Sequence, residues 1–456
     1  MSPLSVLRIW GLGIFGWALL GLGIYLAIET YDHFSKRDAL ARVAGSADAV
    51  SVDKDKLRAG DELRSGVAAG EVEPSVVERP AGVPADEFRV PRIAAASDDW
   101  TGWALLAGAI ACLGMSLVGY WPVSLFLGDS RSGAAHRKQE IQPTSSLIVG
   151  RPDGSQLNVE IYGEDKRPTL LLTHGWSLDT SAWDYAKADL ARRYRIVAWD
   201  LPGLGKSKGP SNADFSLEKM AHDLEAVLRA TDNGSPVILV GHSIGGMILQ
   251  TFCRLHPEHL SQSVRGLALV HTTYTNPLRT ITASGLATAL ETPLIVPMNY
   301  LTIILAPLAW LSNWQSYFNG SLHIWTRLVS FAGHQSWSQI DHGARLAAVA
   351  WPATVARGNL AMLKFDAEQT LPNVQVPVLV VVGAHDRVTR PVASQRIELL
   401  LPNDRPMTID GGHLGYWELS ERVVDALRDF AEHVFASSHT DPRRDSEPVT
   451  GGAVGR

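Results

Sequence analysis

The chain has 456 residues, 46% of them hydrophobic, and 41 Lys and Arg against 47 Asp and Glu leave a net charge of −6. That length exceeds one ordinary domain and the apolar content is ample for a core. The acidic balance, with no basic stripe, excludes nucleic acid as a partner. Two cysteines, Cys112 in an apolar segment and Cys253 in a helical pattern, offer neither a disulfide framework nor metal-ligand spacing.

From Ile9 to Ile28 and from Thr101 to Gly128 no residue is charged, and Trp10, Tyr25, Trp103, Tyr120 and Trp121 stand near the ends of these stretches. Each is long enough to cross a hydrocarbon layer of roughly 30 Å, so transmembrane helices are expected at 1–28 and 101–128, in an integral protein of the cell membrane. Glu29-Thr30-Tyr31 lacks the small residues of a signal-peptide cleavage site. Gly11 to Gly16 match the dinucleotide pattern G-x-G-x-x-G but follow no strand, so they carry no cofactor expectation. Between the spans, Glu29 to Asp99 holds ten Lys and Arg and fifteen Asp and Glu, a net −5, and reads as a weakly structured acidic linker at 29–100. Two crossings put the N-terminus and the C-terminal region on one face. Arg8, Arg131, Arg137 and Lys138 balance Lys36, Arg37, Arg42, Arg89 and Arg92 closely, and the cytoplasmic side is expected.

Ser146–Val149 and Leu157–Tyr162 read as strands joined across Asp153-Gly154. The strand Pro168–Thr173 ends in His174-Gly175-Trp176, and Arg195–Trp199 runs into Asp200-Leu201-Pro202-Gly203-Leu204-Gly205-Lys206-Ser207. That loop is no P-loop, because Asp200 stands where Gly is required and Pro210 precludes the helix. An amphipathic helix, Leu217–Thr231, leads to the apolar run Val237–Val240, then Gly241-His242-Ser243-Ile244-Gly245, then a helical pattern stopped by Pro257. A strand feeding so directly into a helix leaves no room for side chains at Gly241 and Gly245 and puts Ser243 at the tip of a strained turn. Gly205-Lys206-Ser207-Lys208-Gly209 also spells G-x-S-x-G, without the strand and helix around it.

Val264–His271 is the next strand, and 272–368 then reads as mostly helical, with no charge from Thr292 to Thr326 if His323 is neutral. Pro293, Pro297 and Pro307 break that stretch, which argues against a third span. It is expected either to be buried on its own sheet or to lie in the membrane interface through Leu301, Ile303, Ile304, Leu305, Trp310 and Leu311. The strand Val376–Val382 ends in Gly383-Ala384-His385-Asp386, the short strand Met407–Ile409 in Asp410-Gly411-Gly412-His413, and Ser420–Phe435 closes the domain as a helix. The segment 437–456 is polar and expected to be a disordered tail.

With these motifs in this order, the chain resembles the α/β-hydrolase superfamily over roughly Ser145 to Phe435. The resemblance implies an α/β fold with a mostly parallel, doubly wound sheet, the core at 140–271 and 369–436, and a helical cap at 272–368. It implies Ser243 as nucleophile, His413 as general base and Asp386 as the acid that orients it. The backbone N–H groups of Trp176 and Ile244 would form the oxyanion hole. The loop at Asp200 matches a structural loop of the same superfamily, so neither Asp200 nor Ser207 is given a catalytic role, and His242 and His385 read as packing or loop residues. Epoxide hydrolases and haloalkane dehalogenases resemble this fold but need a carboxylate where Ser243 stands. What is implied is a membrane-anchored serine ester hydrolase for a small-molecule ester or lipid, like monoacylglycerol-lipase-type members. No cofactor and no metal are expected. An acyltransferase, a thioesterase or a membrane-tethered receptor with little turnover would use the same residues. A fragment lacking both spans is expected to keep activity on a soluble ester.

Overall fold

The computed structural model describes residues 3–57, 99–127, 141–260 and 262–439. Most of the expected linker, the basic residues Arg89, Arg92, Arg131, Arg137 and Lys138, and the expected tail beyond residue 439 lie outside the described residues. The chain forms two compact units, one of Ala18–Met115 and a larger one that joins the residues up to Trp17 to those from Ser116 onward.

Helix α1 spans Ser5–Leu57 and α2 spans Trp100–Val118, and both are long and apolar enough to cross a membrane. α1 does not stop near Ile28 as expected but continues into the first part of the linker, where Ala39, Leu40, Ala41 and Arg42 are strong helix formers without a breaker. In the smaller unit Asp99 receives the Gly102 N–H at 3.1 Å, lies 2.9 Å from His33 Nε2 and pairs with Arg37. The rings of Phe34 and Trp103 meet edge to face at 5.8 Å.

The second apolar stretch is not one helix to Gly128. α2 ends at Val118 and α3 runs from Tyr120–Leu127. Pro122 explains the break, since it has no N–H for the Val118 carbonyl four positions back and its ring would collide with it. α3 packs within the larger unit instead: Val123 is buried, and Tyr120 contacts His323 and Trp337 with ring centroids 5.0 and 5.5 Å apart.

The sheet of the larger unit has eight strands: β1 Ser145–Gly150, β2 Gln156–Tyr162, β3 Thr169–Thr173, β4 Arg195–Trp199, β5 Val237–His242, β6 Val264–Val270, β7 Val378–Gly383 and β8 Asp404–Ile409. Their order is β1-β2-β4-β3-β5-β6-β7-β8, antiparallel at the first two pairings and parallel through the rest. Alternate residues of one strand serve opposite faces. Leu171, Leu239 and Leu267 join α5 (Leu217–Ala230) and α6 (Ile244–Leu255) in one core. Leu170, Leu172, Ile238 and Val240 join α4 (Asp184–Leu190) and the last helix in another. Layers on both faces explain why β3 to β7 carry apolar residues towards both sides of the sheet.

Between β6 and β7 the chain builds the cap from α7 (Ser284–Ala289), a π turn, α8 (Val296–Ile304), α9 (Ala306–Phe318), α10 (Ser321–Ser330), α11 (Trp337–Val349) and α12 (Pro352–Met362). The uncharged stretch is bent by 98° between Ile304 and Ala306, two residues before the expected breaker Pro307. α13 (Pro391–Leu400), α14 (Gly415–Glu418) and α15 (Ser420–His439) complete the unit.

The start of α1 is built into the larger unit: Val6, Arg8 and Ile9 are buried, Asn359 Nδ2 donates to Ser5 Oγ at 3.0 Å, and Trp10 Nε1 donates to Thr302 Oγ1 at 3.0 Å. The expected active fragment without both spans would therefore lose part of its own interior.

Candidate active site

Ser243 sits between β5 and α6 with φ 54° and ψ −119°, outside the regions non-glycine residues favour. Such strain costs about 1–3 kcal/mol and persists because its surroundings enforce it. The Ser243 N–H donates to Val270 O at 3.0 Å, and the Thr272 hydroxyl donates to Ser243 O at 2.6 Å. A Cβ on Gly241 would stand 2.6 Å from the Gly245 backbone, and one on Gly245 would stand 2.5 Å from Thr173 O. Both glycines are therefore required by main chain that cannot yield.

The three side chains expected to act together do meet. His413 Nε2 lies 3.0 Å from Ser243 Oγ, and His413 Nδ1 lies 2.8 Å from Asp386 Oδ2. The carboxylate can only accept, so Nδ1 carries the proton and Nε2 is left to accept from the serine hydroxyl. Asp386 also receives the Val388 and Thr389 N–H groups at 2.7 and 2.8 Å and the Thr389 hydroxyl at 2.8 Å. Burial alone would raise its carboxyl, but His413 and these hydrogen bonds outweigh burial and hold it below the ordinary carboxylate value.

Neither the Trp176 nor the Ile244 amide donates to a protein acceptor among the described residues, and Ile244 opens α6, where the first N–H groups have no intrahelical partner. The Trp176 side chain, given no part by the sequence reading, is fully buried, with Nε1 donating to Val355 O at 3.0 Å. A Cβ on Gly358 would lie 2.0 Å from that indole, so Trp176 also fixes α12 of the cap.

The second G-x-S-x-G has a structural job. The Ser207 hydroxyl donates to Asp200 O at 2.7 Å and accepts from Asn158 N at 2.8 Å, while Asp200 receives the Thr180 and Lys206 N–H groups. His242 donates from Nε2 to His413 O at 3.0 Å, supporting the loop from behind, and exposed His385 pairs with Asp410.

Sequence reasoning missed Glu418. This fully buried carboxylate accepts the N–H groups of Ala332, Gly333 and His334 on one oxygen and of Gly412 on the other, tying the end of α10 to the loop that carries His413. Nothing in the local sequence marks a carboxylate in an amphipathic pattern as a hub for four amides. His271 is also buried, 3.9 Å from Asp386 Oδ2, and burial pulls its imidazole down to about 4. Away from the site, Glu225, His256 and His259 bring potential ligand atoms within 4.8 Å of one another, where the sequence shows no metal spacing. Arg229 already pairs with Glu225 there.

Against known proteins, residues 168–293 match the alpha/beta hydrolase fold family. The chain is 34% identical over 104 residues to the pimeloyl-[acyl-carrier protein] methyl ester esterase of Aeromonas hydrophila, covering 23% of this chain and 38% of that protein. It is 30% identical over 145 residues to epoxide hydrolase 3 of Xenopus tropicalis, covering 31% and 39%. The chain thus spans about two fifths of the length of these curated relatives. Among solved structures, a thermophilic esterase from Thermogutta terrifontis superposes with a TM-score of 0.52 at 23% identity, over 64% of this chain and all of that one. Sheet order, cap and the match over residues 168–293 together give this chain an α/β-hydrolase fold.

Proposed function

We propose that this protein is a membrane-anchored serine hydrolase that cleaves carboxylic esters of an apolar or lipid-like substrate. The observation that carries the reading is the continuous chain Ser243 Oγ, His413, Asp386, with links of 3.0 and 2.8 Å. His413 takes the Ser243 proton as the hydroxyl attacks the ester carbonyl, and the amides of Trp176 and Ile244 receive the oxyanion. Collapse expels the alcohol, which takes the proton from His413. Water, deprotonated by the same imidazole, then releases the acid and restores Ser243. Asp386 keeps Nδ1 protonated and stabilises the cation. One relative is named an esterase and another an epoxide hydrolase; a serine in place of a carboxylate nucleophile favours the ester chemistry.

The membrane part of the reading rests on the two apolar helices and on the cap surface. Leu301, Ile304, Trp310 and Leu311 are exposed, Ile304 to 75%, which an ordinary cap core would not leave in water. The start of α1 and the site share one unit, in keeping with a site on the N-terminal side of the membrane. Fluorophosphonate labelling together with turnover of a short ester by the full chain tests the proposal. Labelling that survives Ser243→Ala, or a wild-type chain without turnover, would sink it.

A further inference from the structure

Beside the site lies a cavity of about 50 Å³, lined by His413, His242 and Trp176 and, from the first turns of α1, by Ser5 and Arg8. Arg8 is 4% exposed, and neither Nε nor Nη1 has a hydrogen-bond partner among the described residues. Among the described residues no Asp or Glu lines the cavity and Arg8 enters no ion pair. An unpaired buried guanidinium is costly, several kcal/mol even after relaxation. A purely structural role would be met better by an aliphatic side chain, as at buried Val6 and Ile9 in the same turns. The Ser5 hydroxyl accepts from Asn359 and still has its own proton to donate.

We infer that Arg8 and Ser5 form an anion subsite: the ester substrate carries a carboxylate or phosphate group that docks on Arg8 while its ester bond reaches Ser243. The inference rests on the serine-hydrolase reading. At roughly 10–15 Å³ per water-sized group, the cavity holds about four such groups. That is the bulk of a carboxylate or phosphate and too small for an acyl chain. The guanidinium fork can grip either anion with two parallel hydrogen bonds.

The test compares the full chain in detergent micelles on two matched pairs: a monoacylglycerol with the same acylglycerol 3-phosphate, and p-nitrophenyl butyrate with mono-p-nitrophenyl glutarate. The readout is the kcat/KM ratio of charged to neutral ester. Arg8→Met should lower that ratio at least tenfold, through KM, in one pair, and Arg8→Lys should recover part of it. The affected pair identifies the source, a lipid phosphate or a small carboxylic acid. A ratio that Arg8→Met and Arg8→Lys leave unchanged in both pairs overturns the subsite, whatever happens to the separate rates. Inorganic phosphate should also raise the unfolding temperature of wild type but not of Arg8→Met, and equal shifts would overturn it. Failure of Ser243 to label would instead sink the serine-hydrolase reading and leave the phosphate shift to judge the subsite.

Discussion

Gly241 and Gly245 at the turn before α6, and Gly13 and Gly16 near the start of α1, both let chain segments approach closely, but against different obstacles. At the turn the obstacle is main chain, the Gly245 backbone and Thr173 O. On α1 it is side chain: a Cβ on Gly13 would stand 2.6 Å from Ser312 Cβ, and one on Gly16 would stand 1.7 Å from the Gln315 amide. The turn is rigid and specified within a few residues. The docking of α1 is adjustable and is specified by residues nearly three hundred positions away, as in the Trp10 to Thr302 bond.

The sharpest test of the rigid region is chemical. Ser243→Ala should lower kcat on a soluble ester by a factor on the order of 10⁶, and Asp386→Asn by about 10⁴, because the second misorients a base that is still present. Steady-state kinetics with circular dichroism to confirm folding would decide it. If Ser243→Ala kept wild-type turnover, the assignment would be wrong.

Two alanine substitutions test whether the close approaches differ in kind. Gly245→Ala forces Cβ into a carbonyl oxygen and should destabilise by about 3 kcal/mol or more. Gly16→Ala meets only the far end of Gln315, which can swing away at the cost of its hydrogen bonds to Ser116 and Asn319. It should cost about 1–2 kcal/mol, offset in part by the better helix propensity of alanine. Equal shifts in urea midpoint would show that the two approaches are not of different kinds.

Acid should expose the strain around the site. His271 is held at about 4 instead of 6.5, so between those values only the unfolded chain takes the proton. Stability is present above pH 6.5 and falls as pH drops towards 4. At roughly 1.4 kcal/mol per unit, that is about 3 kcal/mol from this residue. His242, which burial and its neighbours His413 and His271 hold well below its ordinary value, adds loss of the same sign. His271→Phe should therefore flatten, without abolishing, the dependence of the urea midpoint on pH, and an unchanged slope would refute the account.

The turn, the strand ends and the order Ser243, Asp386, His413 were legible because each is a local pattern: an apolar run, a glycine pair, a breaker. The docking of α1 was not. Every residue from Ile9 to Ile28 is uncharged, so nothing distinguishes the face carrying Gly13 and Gly16 from the opposite face. Gly11 to Gly16 spell a dinucleotide pattern with no strand before it, and Arg8 reads only as a charge flanking an apolar stretch. Glu418 was hidden for a related reason, since its partners are main-chain amides that no side-chain pattern reports.

The two G-x-S-x-G segments allow the smallest and most specific prediction. Ser207 joins Asp200 O to Asn158 N through one hydroxyl, so Ser207→Ala leaves a buried amide and a buried carbonyl short of one partner. A loss of about 1–2 kcal/mol in stability follows. The loop carries none of the groups that touch Ser243, so the folded fraction should keep kcat within about twofold of wild type, well inside the 1.4 kcal/mol that a tenfold change requires. Active-site titration with a fluorophosphonate separates the two effects, because it counts competent serines before turnover is measured. A fall in kcat per titrated site would mean that the Asp200 loop reaches the chemistry after all, and that pattern alone does not divide the two serines.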